Sequence, residues 1–133
     1  MSASKPGDRR ASDSEDMARS EMYRFVASLL SAAPSQEAIA GIGSLSGDAT
    51  PLGQAIDGLA AAARAAQPGA VEREFFDLFI GVGRGELLPY ASFYQTGFLN
   101  ERPLAEVRGD LARLGVTRAE DRFEPEDHIA ILF

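Results

Sequence analysis

The 133-residue chain contains no cysteine and no tryptophan, and only one histidine. Without cysteine it has no disulfides, no thiolate metal ligands and no thiol nucleophile, a usage that suits a reducing compartment. With one histidine and no HExxH pair, a metal would have only hard carboxylates to bind, so no metal or cofactor site is expected. A lone histidine beside acids has no nucleophile to activate, which argues against an enzyme. Basic residues are scarce: 13 against 20 acidic ones, for a net charge of -7. That field disfavours duplex nucleic acid and suits cationic peptides. No apolar run approaches the roughly 18–20 residues of a membrane span. There is no GxxxxGK[ST] phosphate loop. Acids follow Arg9-Arg10 where a targeting signal needs an apolar stretch, so residues 1–15 are expected to be a disordered tail.

What is present is an ordinary 45% apolar, 25% charged composition, enough for one domain with one core. Seven of the eleven aromatics crowd into residues 75–98: Phe75, Phe76, Phe79, Tyr90, Phe93, Tyr94 and Phe98. Gly81, Gly83 and Gly85 interrupt this run and Pro89 closes the interruption. The pattern predicts a helix carrying Phe75, Leu78 and Phe79 on one face, an irregular loop, and a second aromatic helix over about Ala91 to Glu101. Elsewhere the 3.6-residue period predicts a first helix from about Asp16 to Ser31. Ser35 should cap a second helix, and Thr50-Pro51 should open a third that ends at Pro68-Gly69. A fourth should begin near Ala70, and a sixth should run from Pro103 to a terminating Gly115. No stretch alternates like a strand, so the chain reads as all-α, a compact helical bundle over 16–133.

The last segment, Glu124-Pro125-Glu126-Asp127-His128-Ile129-Ala130-Ile131-Leu132-Phe133, opens like a helix, with Pro125 in the first turn and acids at the positive end of the dipole. In that geometry Glu124 and His128 share a face. No stop signal follows, which raises the expectation of a truncated bundle whose further helices lie beyond Phe133.

Three blocks in order carry a resemblance: Phe75, Leu78, Phe79 and Gly81; Pro89, Tyr90 and Ser92; Glu124, Pro125, Asp127 and His128. They resemble the aromatic-xx-Leu-Phe-x-Gly helix end, the Pro-aromatic-x-Ser loop and the Glu-Pro-x-Asp-His block of the TorD/DmsD family of redox-enzyme maturation chaperones. The chain departs from it at Gly81-Val82-Gly83, where members often have Gly-Pro-Gly, and at Leu88-Pro89, where they have two prolines. The resemblance implies a cytoplasmic, non-catalytic protein. Such a protein binds the twin-arginine signal peptide, or a nearby surface, of a molybdoenzyme and holds it until its cofactor is inserted before export. The run GELLPYASFYQTGFLNERPL is closer to chaperones associated with formate dehydrogenase than to those for trimethylamine oxide or dimethyl sulfoxide reductases. Some members have been proposed to bind guanine nucleotides, for which this chain shows no phosphate site. Because Ile129, Ile131, Leu132 and Phe133 begin an apolar helix that the chain does not finish, two outcomes are expected. One is a homodimer, formed by helix exchange as the resemblance implies; the other is a terminal helix packed in a rearranged position, the first being favoured.

A peptide site built on those blocks would use Glu124, Glu126 and Asp127 to pair with guanidinium groups. Phe79, Tyr90 and Tyr94 would take apolar side chains or stack on arginine. His128 would donate to peptide backbone or orient a carboxylate. The plainer alternative is that the acids cap a helix, His128 is a satisfied core residue, and the chain is an assembly module that binds no signal peptide.

Overall fold

The structure, a computed structural model, describes residues 6–120 and 123–133. Among the described residues seven α-helices form: α1 (Pro6–Ser31), α2 (Gln36–Gly43), α3 (Pro51–Ala65), α4 (Pro68–Phe75), α5 (Ala91–Thr96), α6 (Glu101–Arg113) and α7 (Ile129–Leu132). A π-helical turn, Phe76–Ile80, continues α4. Among the described residues there is no strand, only one antiparallel bridge between Tyr90 and His128. The expected all-α class holds.

The chain divides into two units. One comprises residues 32–89; the other joins 1–31 to 90–133.

In the 32–89 unit the sequence signals act where they stand. The Ser35 side chain accepts from the Ala38 N–H at 3.1 Å, starting α2. Thr50 does the same for Gly53 at 3.1 Å, with Pro51 preset for the first helical position of α3. The two helices pack through buried Ile39, Ile42, Gly53 and Ala60. The Arg64 guanidinium donates to the Gly43 carbonyl at 2.7 Å, satisfying an acceptor that the end of α2 leaves open. Helix α4 begins at Pro68, slightly before the expected Ala70.

The π turn closes when the Gly81 N–H donates to the Phe76 carbonyl at 2.7 Å. The chain then doubles back, the Glu86 and Leu87 N–H groups donating to the Asp77 and Leu78 carbonyls at 3.1 and 2.7 Å. Glycine is required twice on this path. Gly81 has φ +63°, and a Cβ there would meet the Arg84 carbonyl oxygen at 2.2 Å. A Cβ at Gly85 would lie 2.6 Å from the Leu78 carbonyl oxygen.

In the other unit, α1 begins at Pro6 rather than near Asp16. Of the tail expected over 1–15, residues 1–5 lie outside those described, and 6–15 continue the helix. Apolar periodicity is silent there because residues 12–20 are exposed along their whole length. Further on, Met22, Phe25, Val26, Leu29 and Leu30 are half-buried, and α7 packs against α1 with Phe133 stacked on Tyr23, centroids 5.6 Å apart. Helix α5 is shorter than expected, stopping at Thr96 because Gly97 turns left-handed. Helix α6 opens two residues early, which seats Pro103 in its first turn. Its end is a Schellman motif: Val116 donates to the Leu111 carbonyl at 2.9 Å and Gly115, at φ +70°, to Ala112 at 3.1 Å.

The Glu124–His128 stretch corrects the expectation of a helix start at Pro125. These residues form turns, the His128 N–H donating to the Pro125 carbonyl at 3.0 Å, and only Ile129–Leu132 are helical. The reason is that Asp127 is held elsewhere, by the site described next.

Candidate functional site

The N-terminus of α5 has orphan N–H groups and no cap of its own, since the Tyr90 side chain at that position makes no capping bond. Asp127 supplies it from 35 residues away. Its carboxylate Oδ2 accepts from the Ser92 N–H at 2.9 Å, and its backbone carbonyl accepts from the Ala91 N–H at 3.0 Å. Asp127 and Ser92 are both 0% exposed. The Ser92 hydroxyl accepts from the Asn100 N–H at 3.1 Å, at a left-handed turn that starts α6. Thus one acid ties the entry of α5 to the C-terminal segment, and one serine ties α5 to α6. The second carboxylate oxygen of Asp127 is buried without a hydrogen-bond partner.

His128 faces the other way. Its Nδ1 accepts from the Ala130 N–H at 3.1 Å, so the imidazole is itself the N-cap of α7. The ring stands edge-on to Tyr90, centroids 5.2 Å apart. Burial pushes the imidazole below its ordinary value, although the Glu124 and Asp127 carboxylates pull it up. The Tyr90 hydroxyl donates to Glu124 Oε2 at 2.5 Å. Burial and that carboxylate raise the phenol well above its ordinary value, keeping it a donor. Burial alone would also raise the Glu126 carboxyl, but its own backbone N–H and Arg108, whose Nε donates at 2.8 Å, hold it below the usual range.

Beside this clasp lies an open cleft of about 440 Å³. Helix α1 lines it with Arg24, Ala27, Ser28 and Ser31, the loop with Thr117, Arg118 and Ala119, and the C-terminal segment with Glu124, His128, Ala130 and Ile131. Arg118 donates to the Glu124 carbonyl at 3.3 Å across it.

The expected site residues therefore divide. Tyr90, Ser92, Glu124, Pro125, Asp127 and His128 come together in the clasp, while Tyr94 is 65% exposed on α5. Of the three acids, Glu124 lines the cleft; Asp127 is spent on α5 and Glu126 on Arg108. The Glu124–His128 pairing survives, through a turn and a shared cleft instead of a helical face. Phe75, Leu78, Phe79 and Pro89 belong to the other unit, where Phe75 and Phe79 pack on one another with centroids 5.0 Å apart. Arg24 and Arg118 were not singled out by sequence: Arg24 lies opposite the apolar stripe of α1 and Arg118 in a charged loop, and neither position carries a motif. Among the described residues no cluster of potential ligands could hold a metal ion, and no helix is long and apolar enough to cross a membrane.

Comparison with known proteins agrees with the three-block pattern. The family model for the nitrate reductase delta subunit matches residues 46–133, a span that includes both halves of the clasp. The chain is 30% identical over 128 residues to the chaperone protein TorD of Aliivibrio fischeri, covering 85% of this chain and 60% of that protein. It is 42% identical over 60 residues to TorD of Vibrio atlanticus, 44% of this chain and 28% of the relative. Over 59 residues it is 44% identical to TorD of Vibrio cholerae, 44% of this chain and 27% of the relative. The chain thus spans 27% to 60% of the length of these relatives. No solved structure matches it. A match over most of the chain, running through both halves of the clasp, shows that this chain belongs to the nitrate reductase delta subunit family that includes the TorD chaperones.

Proposed function

We propose that this protein is a cytoplasmic maturation chaperone that binds the twin-arginine signal peptide, or a nearby surface, of a molybdoenzyme and holds it for cofactor insertion before export. The observation that carries the reading is the position of Glu124. Of the acids in the Glu-Pro-x-Asp-His block it is the one on the cleft wall, with Tyr90 fixing one oxygen and His128 beside it. A fixed carboxylate can accept a guanidinium through charge-assisted hydrogen bonds. Asp127 and Ser92 act from behind, holding the wall in place. Tyr94 offers a ring for stacking. The client is a formate dehydrogenase in this reading.

The test is a titration of the protein with twin-arginine signal peptides from several molybdoenzymes, each beside a lysine-for-arginine control. Glu124→Gln keeps the shape and removes the charge. It should weaken binding of the arginine peptide about 3–10-fold, the range for a partly exposed pair, and leave the control unchanged. Equal binding of all peptides by both proteins would reject the reading.

The second reading, a helical assembly module, draws on Phe76, Ile80, Val82 and Leu87. All four are exposed around the glycine loop, Val82 by 98%. Apolar surface of this kind marks interaction sites, and pairing of two copies through helix exchange is the form we propose for it. Sedimentation at micromolar concentration distinguishes monomer from dimer.

A further inference from the structure

Helix α7 spans Ile129–Leu132. Three things hold it: Phe133 stacked on Tyr23, its packing on α1, and the His128 cap. The cap has a chemical condition. The Ala130 N–H is a donor, so the Nδ1 facing it must present a lone pair, and the imidazole proton must sit on Nε2. A second proton turns Nδ1 into a donor facing a donor. We propose that His128 is a proton-operated latch: protonation at Nδ1 removes the cap of α7, frees this helix from α1 and widens the cleft that the two helices line.

The charged surroundings set the direction without blocking the step. Tyr90 meets the ring from the entry of α5, and Glu124 and Asp127 favour the cation from the same segment. Arg24 of α1 and Arg118 of the loop line the same cleft and oppose it. Burial, the largest influence, lowers the imidazole below its ordinary 6.5 in the folded protein. A depressed base makes the cap fully effective above 6.5 and weakens it as the pH falls below that value. The motion has a definite hinge. The Asp127 bonds to Ala91 and Ser92 involve no imidazole, so the chain stays fastened up to residue 127 while the segment after His128 is released. The latch does not depend on which ligand the cleft takes.

Residue-resolved amide exchange, corrected for the intrinsic pH dependence, tests this between about pH 7.5 and about pH 5.5. On acidification Ala130, Ile131 and Leu132 should lose about tenfold in protection while Ala91 and Ser92 keep theirs. His128→Asn, whose side-chain oxygen accepts the same N–H and does not titrate, should hold α7 protection constant. A flat wild-type profile, an equal loss in His128→Asn, or parallel loss at Ala91 and Ser92 would each overturn the latch. The wild-type imidazole nitrogen shifts give a readout that needs no variant: an Nδ1–H tautomer at neutral pH also overturns it.

Discussion

The two units of this chain are held together by different chemistry. In the 32–89 unit the buried side chains are apolar, Ile39, Ile42 and Ala60, and α2 and α3 are each started by a side chain three residues away from the N–H it accepts. In the other unit Leu104 is buried too, but the two most enclosed side chains are polar, Ser92 and Asp127, and His128 is buried beside them. There α5 is started by an acid distant in sequence. Apolar packing is non-directional and tolerates adjustment, whereas a buried hydrogen bond fixes orientation and leaves an unsatisfied donor when a partner is lost. The polar unit is accordingly the one with a defined cleft wall, a histidine cap and an internal charge pair.

The largest effect that would sharpen this contrast is Ile42→Ala. It deletes a buried side chain between α2 and α3 and should cost roughly 2–4 kcal/mol. Because no ionisable group is involved, the loss should be the same at neutral and mildly acidic pH in denaturant melts followed by circular dichroism. A strongly pH-dependent loss would break the division between the units.

Asp127→Ala should come next, at about 2 kcal/mol, because it leaves the buried Ser92 N–H without an acceptor. Asp127→Asn keeps an acceptor and should stay close to wild type, since one carboxylate oxygen has no partner to lose. The same melts measure both. If Asp127→Ala lost peptide binding with helicity and stability intact, the residue would be a contact and not the cap of α5.

The difference between the units also explains what could be read from sequence. Ser35 and Thr50-Pro51 act within one turn, so residue type and spacing were enough to place α2 and α3. The Gly115 helix end was legible for the same reason. The Glu-Pro-x-Asp-His block was misread because Pro125 and the acids satisfy every local rule for starting a helix. What overrides those rules is a bond to Ser92, and no local pattern carries a contact between residues 35 positions apart. The block resemblance singles out Tyr90, Ser92, Glu124, Asp127 and His128, which the structure brings together, but it does not show which of them bonds to which. The π turn after Phe75 was equally hidden, because Leu78 and Phe79 fit an α-helical face as well as a π one.

The smallest expected effects separate the two kinds of polar device. Ser35→Ala removes a neutral local cap and should cost about 0.5–1 kcal/mol, unchanged by salt. Arg108→Ala breaks the ion pair with Glu126, whose side chain is only 13% exposed while that of Arg108 is 52% exposed. Its cost in low salt should be similar, about 0.5–1 kcal/mol, because a half-exposed pair is discounted by solvent. It should shrink toward zero near 1 M salt, where the screening length falls to about 3 Å. It should also shrink as the pH falls. The folded Glu126 carboxyl is held below its usual value, so the stabilisation it contributes is present above the unfolded value and is lost as acid protonates the folded group. Thermal melts of both variants at low and high salt measure the contrast. If Arg108→Ala is as insensitive to salt as Ser35→Ala, the pair acts through the aliphatic packing of arginine and not through its charge.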